Sequence, residues 1–289
     1  MTGFMKIIDT HVHIWDLEKA EYPWLKEDTS ILNRTWRIEE IETVRKKAGI
    51  IAGILVQASG NLEDTALMLD TAYSTDWICG VVAWLPLMDP KETDRLLEER
   101  FLKEKYFKGV RHQVHDEIDP GWLLQAGVLE SLKNLSACGI PYDVVGIKPE
   151  HIETVLNVAE KIPGIRMVFD HLNWPPIPTR ERFGRWGELM KEAAGHKNLY
   201  AKISGLGTAS GNFQNRTAED IKPYVEFVLQ HFGTDRCFCG GDWPVSMLAN
   251  NYVKTWQITK DILNSLLNDT EKDKVYFSNA NKFYNLGIS

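Results

Sequence analysis

Eight short apolar runs, rich in valine and isoleucine, recur along the chain with amphipathic stretches between them. In order they are KIIDTHVH, IAGILVQA, ICGVVAWL, FKGVRHQV, IPYDVVG, IRMVFDHL, LYAKISG and RCFCGGDW. Each has seven or eight residues, which suits a buried strand and is short for a core helix. The segments between them include RIEEIETVRKKAG, NLEDTALMLDTAYS, KETDRLLEERFLKE, PGWLLQAGVLESLKNLSACG and PEHIETVLNVAEKIP. Strands that alternate with helices run parallel, because each helix carries the chain back to the edge where the next strand starts. Eight such units in 289 residues predict an α/β chain folded as a (β/α)8 TIM barrel, with residues 1–289 as one domain. A doubly wound open sheet is the competing arrangement. It calls for a glycine-rich phosphate turn after the first strand, where this chain reads DTHVHIWD.

The helical segments carry their own punctuation. Asn61 stands before LEDT with Asp64 three residues on, which resembles a capping box with Asp in place of Glu. Asp119-Pro120 reads as N-cap and first helical residue, and Pro149 can open another helix. Gly49 and Gly139 fall where helices stop. The irregular stretch from Trp15 to Trp36 follows the first strand, so it is expected to overhang the barrel mouth. After Asp242 two further helical stretches are expected, near 247–267 and 271–284.

The charge balance, 33 Lys and Arg against 40 Asp and Glu, gives a formal net charge of -7 with no basic block, which speaks against nucleic acid as a partner. No apolar run approaches the ~20 residues that span a bilayer. The opening MTGFMKIIDTH has no signal-peptide pattern, so a cytoplasmic protein without membrane contact is expected. The four cysteines form no disulfide framework, and Cys237 and Cys239, two apart on a strand, are expected in the core.

In a TIM barrel the chemistry collects at the C-terminal ends of the strands. Here nearly every run ends in a titratable or hydrogen-bonding residue: His11 and His13, Gln57, Arg111 and His112, Tyr142 or Asp143, Asp170 and His171, Lys202 and Ser204, and Asp242. Packing alone would not require this. His11 and His13 are two apart, so both project to one side of their strand, and there they make a two-nitrogen claw for a borderline metal. Asp242 follows two glycines, which allow close approach and positive φ. In a closed barrel the eighth strand lies beside the first, which brings Asp242 to the histidine pair. Arg111 could polarise a carbonyl or pair with a barrel carboxylate, and Lys202 could be a core ion pair. His115, His151, His196 and His231 read as surface or capping residues. Of the tryptophans near strand ends, Trp84 reads as core, while Trp15, Trp24, Trp174 and Trp243 offer flat faces to a polyhydroxylated ring.

The segments IIDTHVHIWD, YPWL, ILVQA, KGVRH, VFDHL, LYAKISGL and RCFCGGDWPVSML, taken in this order, resemble the sugar lactonases of the amidohydrolase superfamily, the group of L-fuconolactonases and L-rhamnonolactonases. The resemblance runs from residue 7 to about 248. It implies a distorted TIM barrel and hydrolysis of a small-molecule lactone, with Asp242, Arg111 and His171 as catalytic groups. It also implies His11, His13, His171 and Asp242 as ligands if one divalent metal, zinc first, is bound. Catalysis without a metal remains the alternative. In that case the histidines and Arg111 would donate hydrogen bonds to an oxyanion. His112, Trp24, Tyr142 and Trp243 are the expected substrate contacts. Two departures stand out. Relatives read GSDWP where this chain has GGDWP, and the ends RHQVH and YDVVG lack the ligands of a two-metal site. A decarboxylase, or a lactonase of pyrone- or muconate-type dicarboxylates, is the runner-up, and a non-catalytic barrel that binds a sugar acid is a third reading.

Overall fold

The computed structural model describes residues 5–211 and 217–289. Each apolar run contains a strand: β1 (Ile8–Val12), β2 (Ala52–Val56), β3 (Ile78–Ala83), β4 (Phe107–His112), β5 (Tyr142–Val144), β6 (Met167–Phe169), β7 (Leu199–Ile203) and β8 (Cys237–Cys239). They form an eight-stranded sheet in sequence order, and every paired neighbour is parallel. Helices return the chain between strands: α1 (Glu42–Lys47), α2 (Leu62–Ser74), α3 (Pro90–Glu99), α4 (Ala126–Ala137), α5 (Pro149–Lys161), α6 (Gly184–Ala194), the short α7 (Leu206–Ala209) and α8 (Ala218–Phe232). After β8 come α9 (Tyr252–Leu266), α10 (Asp269–Asp273) and α11 (Asn279–Phe283). Among the described residues no helix is long and apolar enough to cross a membrane.

The local signals mostly hold. Asn61 caps α2 by accepting from Asp64 N at 2.8 Å, Pro149 is the first residue of α5, and Gly49 and Gly139 take φ of +73° and +70° after their helices. Two differ. The Asp64 carboxylate does not reach back to its own cap. It accepts instead from Ala58 N, Ser59 N and the Tyr22 hydroxyl, and so ties the first loop to the second. Asp119-Pro120 opens a turn in which Asp119 accepts from Gly121 N at 2.8 Å, and α4 starts only at Ala126.

Two apolar layers surround the sheet. The larger lies between strands and helices and holds Leu55, Val81, Tyr142, Phe169, Cys237 and Cys239 among others. The smaller fills the barrel and contains Ile8, Ile54, Val82, Val168 and Phe238. Phe277, Phe283 and Tyr284 from the chain's last turns pack against it. The barrel is therefore a packed core whose open end is the strand C-termini.

Closure falls between β8 and β1. Asp242 N donates to His11 O and His13 N to Trp243 O, both at 2.7 Å, and Val12 pairs in parallel with Trp243. Thr10 Oγ1 donates to Cys239 O at 2.8 Å. The buried Asp9 carboxylate clamps the seam. It accepts from His11 N at 2.9 Å, Gly241 N at 2.7 Å and the Tyr252 hydroxyl at 2.5 Å. Burial lifts the Asp9 carboxyl to about 6, with those hydrogen bonds pulling the other way. Gly240 and Gly241 serve close approach: a Cβ on Gly240 would lie 2.6 Å from His11 Cβ, and one on Gly241 would lie 2.5 Å from Asp9 Oδ2. The positive φ expected of this turn belongs to Asp242 itself, at 55°.

Gly241→Ala is expected to destabilise the protein by about 1–3 kcal/mol, the usual cost of overpacking. Its urea midpoint would read this directly, and an unchanged midpoint would remove the seam from the list of tight constraints.

Candidate active site

The seam brings together the residues that the sequence places far apart. Asp242 Oδ1 lies 3.7 Å from His11 Nε2, 3.6 Å from His13 Nε2 and 3.9 Å from His171 Nε2. The His11 and His13 Nε2 atoms are 3.1 Å apart. All four side chains are buried. Burial lowers the pKa of both His11 and His13, His11 well below the ordinary range, so both imidazoles sit neutral at pH 7.

His171 reaches the group through unusual backbone. His171, Leu172, Asn173 and Trp174 all take φ between 51° and 54°, a left-handed turn that costs roughly 1–2 kcal/mol per residue. Tertiary contacts hold it. Trp186 Nε1 donates to Leu172 O at 2.8 Å, Asn173 Nδ2 donates to Lys148 O at 3.3 Å, and His171 Nδ1 lies 2.9 Å from Ser204 Oγ. Gly205, with φ of +57°, leaves the room. A Cβ there would stand 2.4 Å from His171 Nδ1 and 2.9 Å from Asp242 Oδ2.

Beneath the histidines lies a buried ionic layer. Lys202 Nζ is 2.6 Å from Asp143 Oδ2 and 2.8 Å from Asp170 Oδ1, and Arg111 Nη1 is 3.3 Å from Asp170 Oδ2. The Tyr284 hydroxyl donates to Asp143 at 2.7 Å. Burial opposes charge on Asp170, yet Lys202, His11 and Arg111 together hold its carboxyl well below the usual range. Lys202 is thus the core ion pair, which leaves two cations against two carboxylates.

Above the group opens a cavity of about 400 Å³. Arg111, His13, His171 and Asp242 reach its floor. Trp15, Trp24, Leu32, Trp174, Val245 and Leu248 form an apolar wall, with Gln113, His115 and Asp116 on the polar side. The loop from Trp15 to Trp36 does overhang the mouth. A bridge between those two residues closes its base, and Trp24 is held by donating to Ala58 O at 2.8 Å.

Three expected substrate contacts fall elsewhere. Tyr142 points into the strand–helix layer and is fully buried, because β5 turns its neighbour Asp143 inward. Trp243 is buried edge-on against Trp36 at 5.3 Å, since its backbone is spent on the seam. His112 stacks on Trp122 at 4.0 Å, accepts from Trp84 Nε1 at 3.1 Å and lies 2.7 Å from Glu117. It borders a neighbouring groove, not the cavity over Asp242. Trp84 is half-buried rather than core. His115, expected at the surface, lines the cavity. Gln113 and Asp116 carried no signal because their short loop has no periodicity. His151 behaves as expected, capping α5 by accepting from Ile147 N and Lys148 N.

The nitrogens and the carboxylate suit a cation. His13 Nδ1 lies 2.7 Å from Val56 O, which can only accept, so Nδ1 carries the proton and Nε2 presents a lone pair. That lone pair faces another imidazole nitrogen and a carboxylate oxygen. His11, His171 and Asp242 are the three-ligand group among the described residues, with donor atoms within 4.8 Å of one another. The separations from 3.1 to 3.9 Å bracket the ~3.3 Å edge of a tetrahedron built on ~2.0 Å bonds. Asp143, at the strand end where a second ion would need a ligand, is occupied by Lys202 and Tyr284.

A sequence model of the amidohydrolase family matches residues 8–286. An L-fucono-1,5-lactonase of Burkholderia ambifaria is 29% identical over 283 residues, which cover 96% of this chain and 95% of that protein. An L-fucono-1,5-lactonase of Burkholderia multivorans is 28% identical, with 96% of each chain covered. The crystal structure of an amidohydrolase from Burkholderia multivorans with bound zinc superposes with a TM-score of 0.89 at 26% identity, covering 97% of this chain and 99% of that one.

Gly205→Ala is expected to push His171 away from Asp242 and to lower turnover about 10²-fold, the scale of a ~1 Å misplacement. Circular dichroism should stay that of the parent, and full turnover in a folded variant would contradict the close-approach role of Gly205.

Proposed function

The chain belongs to the amidohydrolase family, and from that premise we propose that it is a hydrolase opening the ester ring of sugar-acid lactones. The observation that carries this reading is one carboxylate oxygen, on Asp242, set within 3.9 Å of three imidazole nitrogens at the floor of a cavity. The full-length similarity to two L-fucono-1,5-lactonases supports it.

A lactone is a cyclic ester, so its opening needs an activated water, a polarised carbonyl and a proton for the departing ring oxygen. Asp242 takes a proton from water as the water oxygen adds to the carbonyl carbon. When the tetrahedral adduct collapses, the ring C–O bond breaks and Asp242 returns that proton to the alkoxide. The product is a hydroxy acid that loses its own proton to solvent. His11, His13, His171 and Asp242 would hold one divalent ion, zinc by the nitrogen-rich set, which supplies Lewis acidity at the carbonyl and a lower pKa for water. Arg111 adds positive charge at the cavity wall, and His171, braced by Ser204, orients against Asp242. Trp24 and Trp174 give the sugar ring flat faces, while Gln113, His115 and Asp116 meet its hydroxyls. The binding role first expected of Tyr142, Trp243 and His112 passes to these residues.

The dicarboxylate and decarboxylase readings are not favoured. Each needs cations for substrate carboxylates. Among the described residues Arg111 is the one permanent cation on the cavity lining, and it is already paired with Asp170.

With five- and six-membered aldonolactones in a pH-indicator assay, the parent should release acid. Asp242→Asn should lose at least ~10²-fold in kcat, the lower end of a general base's contribution, with the fold intact. Near-parental activity in that variant would reject Asp242 as the base. Elemental analysis should find no more than one divalent ion per chain, and two would reject the single-ion site.

A further inference from the structure

We infer that Gln113 is a specificity-determining residue whose amide is locked with its N–H groups towards the cavity, where with Asp116 it reads one ring hydroxyl of the substrate. The lock is a one-way chain of hydrogen bonds. Arg111 Nε donates to Gln57 Oε1 at 3.1 Å, and Arg111 Nη2 donates to Gln57 O. A guanidinium can only donate, so the Gln57 amide must turn its oxygen to Arg111. Gln57 follows β2 directly and is fully buried, so the reversed amide would set N–H against N–H with no water to relieve it. Its Nε2 is left to donate to Gln113 Oε1 at 3.0 Å. Gln113 has then spent its oxygen on Gln57, and Nε2 is the end it has for a ligand. Arg111, where the chain begins, is itself held 3.3 Å from Asp170 in the ionic layer.

Gln113 is half-buried, and both it and Asp116 line the cavity over Asp242 as well as the neighbouring groove. Asp116 N donates to Gln113 O at 3.0 Å, so one tight turn carries both side chains. A hydroxyl has one proton to give and lone pairs to receive with. Once its proton goes to the Asp116 carboxylate, its oxygen is left to accept from Gln113. The pair stands where cavity and groove meet, away from the floor formed by Asp242, so it reads a hydroxyl on the ring periphery and not the reacting carbonyl. A site built to hydrogen-bond a substrate hydroxyl rejects the analogue that lacks it, because its own polar groups are left unpaired. Gln57, with no exposed surface, acts through Gln113 as a positioning residue. This deepens the lactonase reading and rests on it for the substrate. The orientation of the amide is independent of it.

The first test is neutron diffraction from crystals of the deuterated protein without substrate. The expected map places the Gln113 amide deuterons on the atom turned away from Gln57. An oxygen there overturns the inference whatever the protein does to lactones. The second test is kinetic, on the aldonolactone of the panel above that the parent opens fastest. Gln113→Ala should raise KM about 3–10-fold, the worth of one neutral hydrogen bond, with a smaller fall in kcat. One monodeoxy analogue of that lactone should show no response to Gln113→Ala, and a response of equal size in every analogue overturns the specificity role. Gln57→Glu keeps an acceptor for Arg111 but cannot donate, so Gln113 must turn its oxygen to the cavity beside Asp116. KM should rise by a similar factor, yet by no more than about 2-fold when Gln113→Ala is already present. An equal rise in both backgrounds overturns Gln57 as the positioning residue. If Gln57→Glu does not fold, the map and Gln113→Ala decide. If no lactone is opened, the lactonase reading fails and the map alone decides the amide.

Discussion

Two backbone hydrogen bonds across the β8–β1 seam are the constraint from which the rest of the site follows. Asp242 N reaches His11 O, and His13 N reaches Trp243 O. They fix the register of the last strand end against the first, so Asp242 has no freedom to slide along the histidines. The period of two on β1 then turns His11 and His13 to the same side, towards that carboxylate. Asp9 guards the register from behind, and its hydrogen bonds to Gly241 N and Tyr252 tolerate no side chain on Gly241. A strand pairing off by one residue would turn both imidazoles into the helix layer.

Backbone strain is concentrated where the register leaves the ordinary strand geometry. Eight non-glycine residues among those described have positive φ, and five of them, His171 to Trp174 and Asp242, belong to this site. Such conformations persist only where surrounding contacts over-determine them. Trp186, Ser204 and Lys148 do that for the left-handed turn, and the Asp9 clamp does it for Asp242. The strain delivers two side chains to one point from strands that end without lining them up. A relaxed extended path after Phe169 would direct His171 differently.

Much of this was legible in the sequence, and the boundary of legibility has a physical cause. Strand positions obey a period of two and a fixed topology, so His11, His13, His171 and Asp242 could be assigned to the mouth before any coordinates. Lys202 could be placed on a strand end, and a core ion pair was among its readings, but its partners Asp143 and Asp170 come from two other strands. Tyr142 and Asp143 are adjacent in a three-residue strand, and choosing which of them faces inward needs the register with β4 and β6. Trp243 looked like a mouth residue because it follows Asp242. Its cost to the cavity is set by Trp36, far away in sequence. Gln113, His115 and Asp116 lie on a loop with no period at all, and loops declare their orientation only through the scaffold they hang from.

Charge counting explains why a neutral ring, rather than an acid, suits this floor. Lys202 and Arg111 balance Asp143 and Asp170, so the ionic layer beneath the histidines closes on itself. The imidazoles of His11 and His13 are held neutral by burial. Of Asp143, Asp170 and Asp242, the last alone has no lysine or arginine partner among the described residues. A carboxylate without a cationic partner, ringed by imidazole nitrogens, attracts a proton or a metal cation and repels another carboxylate. A lactone enters this environment without penalty, since it carries no charge. Its hydrolysis product is an anion facing Asp242 and, on the polar wall, Asp116. Under the proposed reading the opened acid meets two carboxylates there against one guanidinium, Arg111, already paired with Asp170, and that balance favours its release.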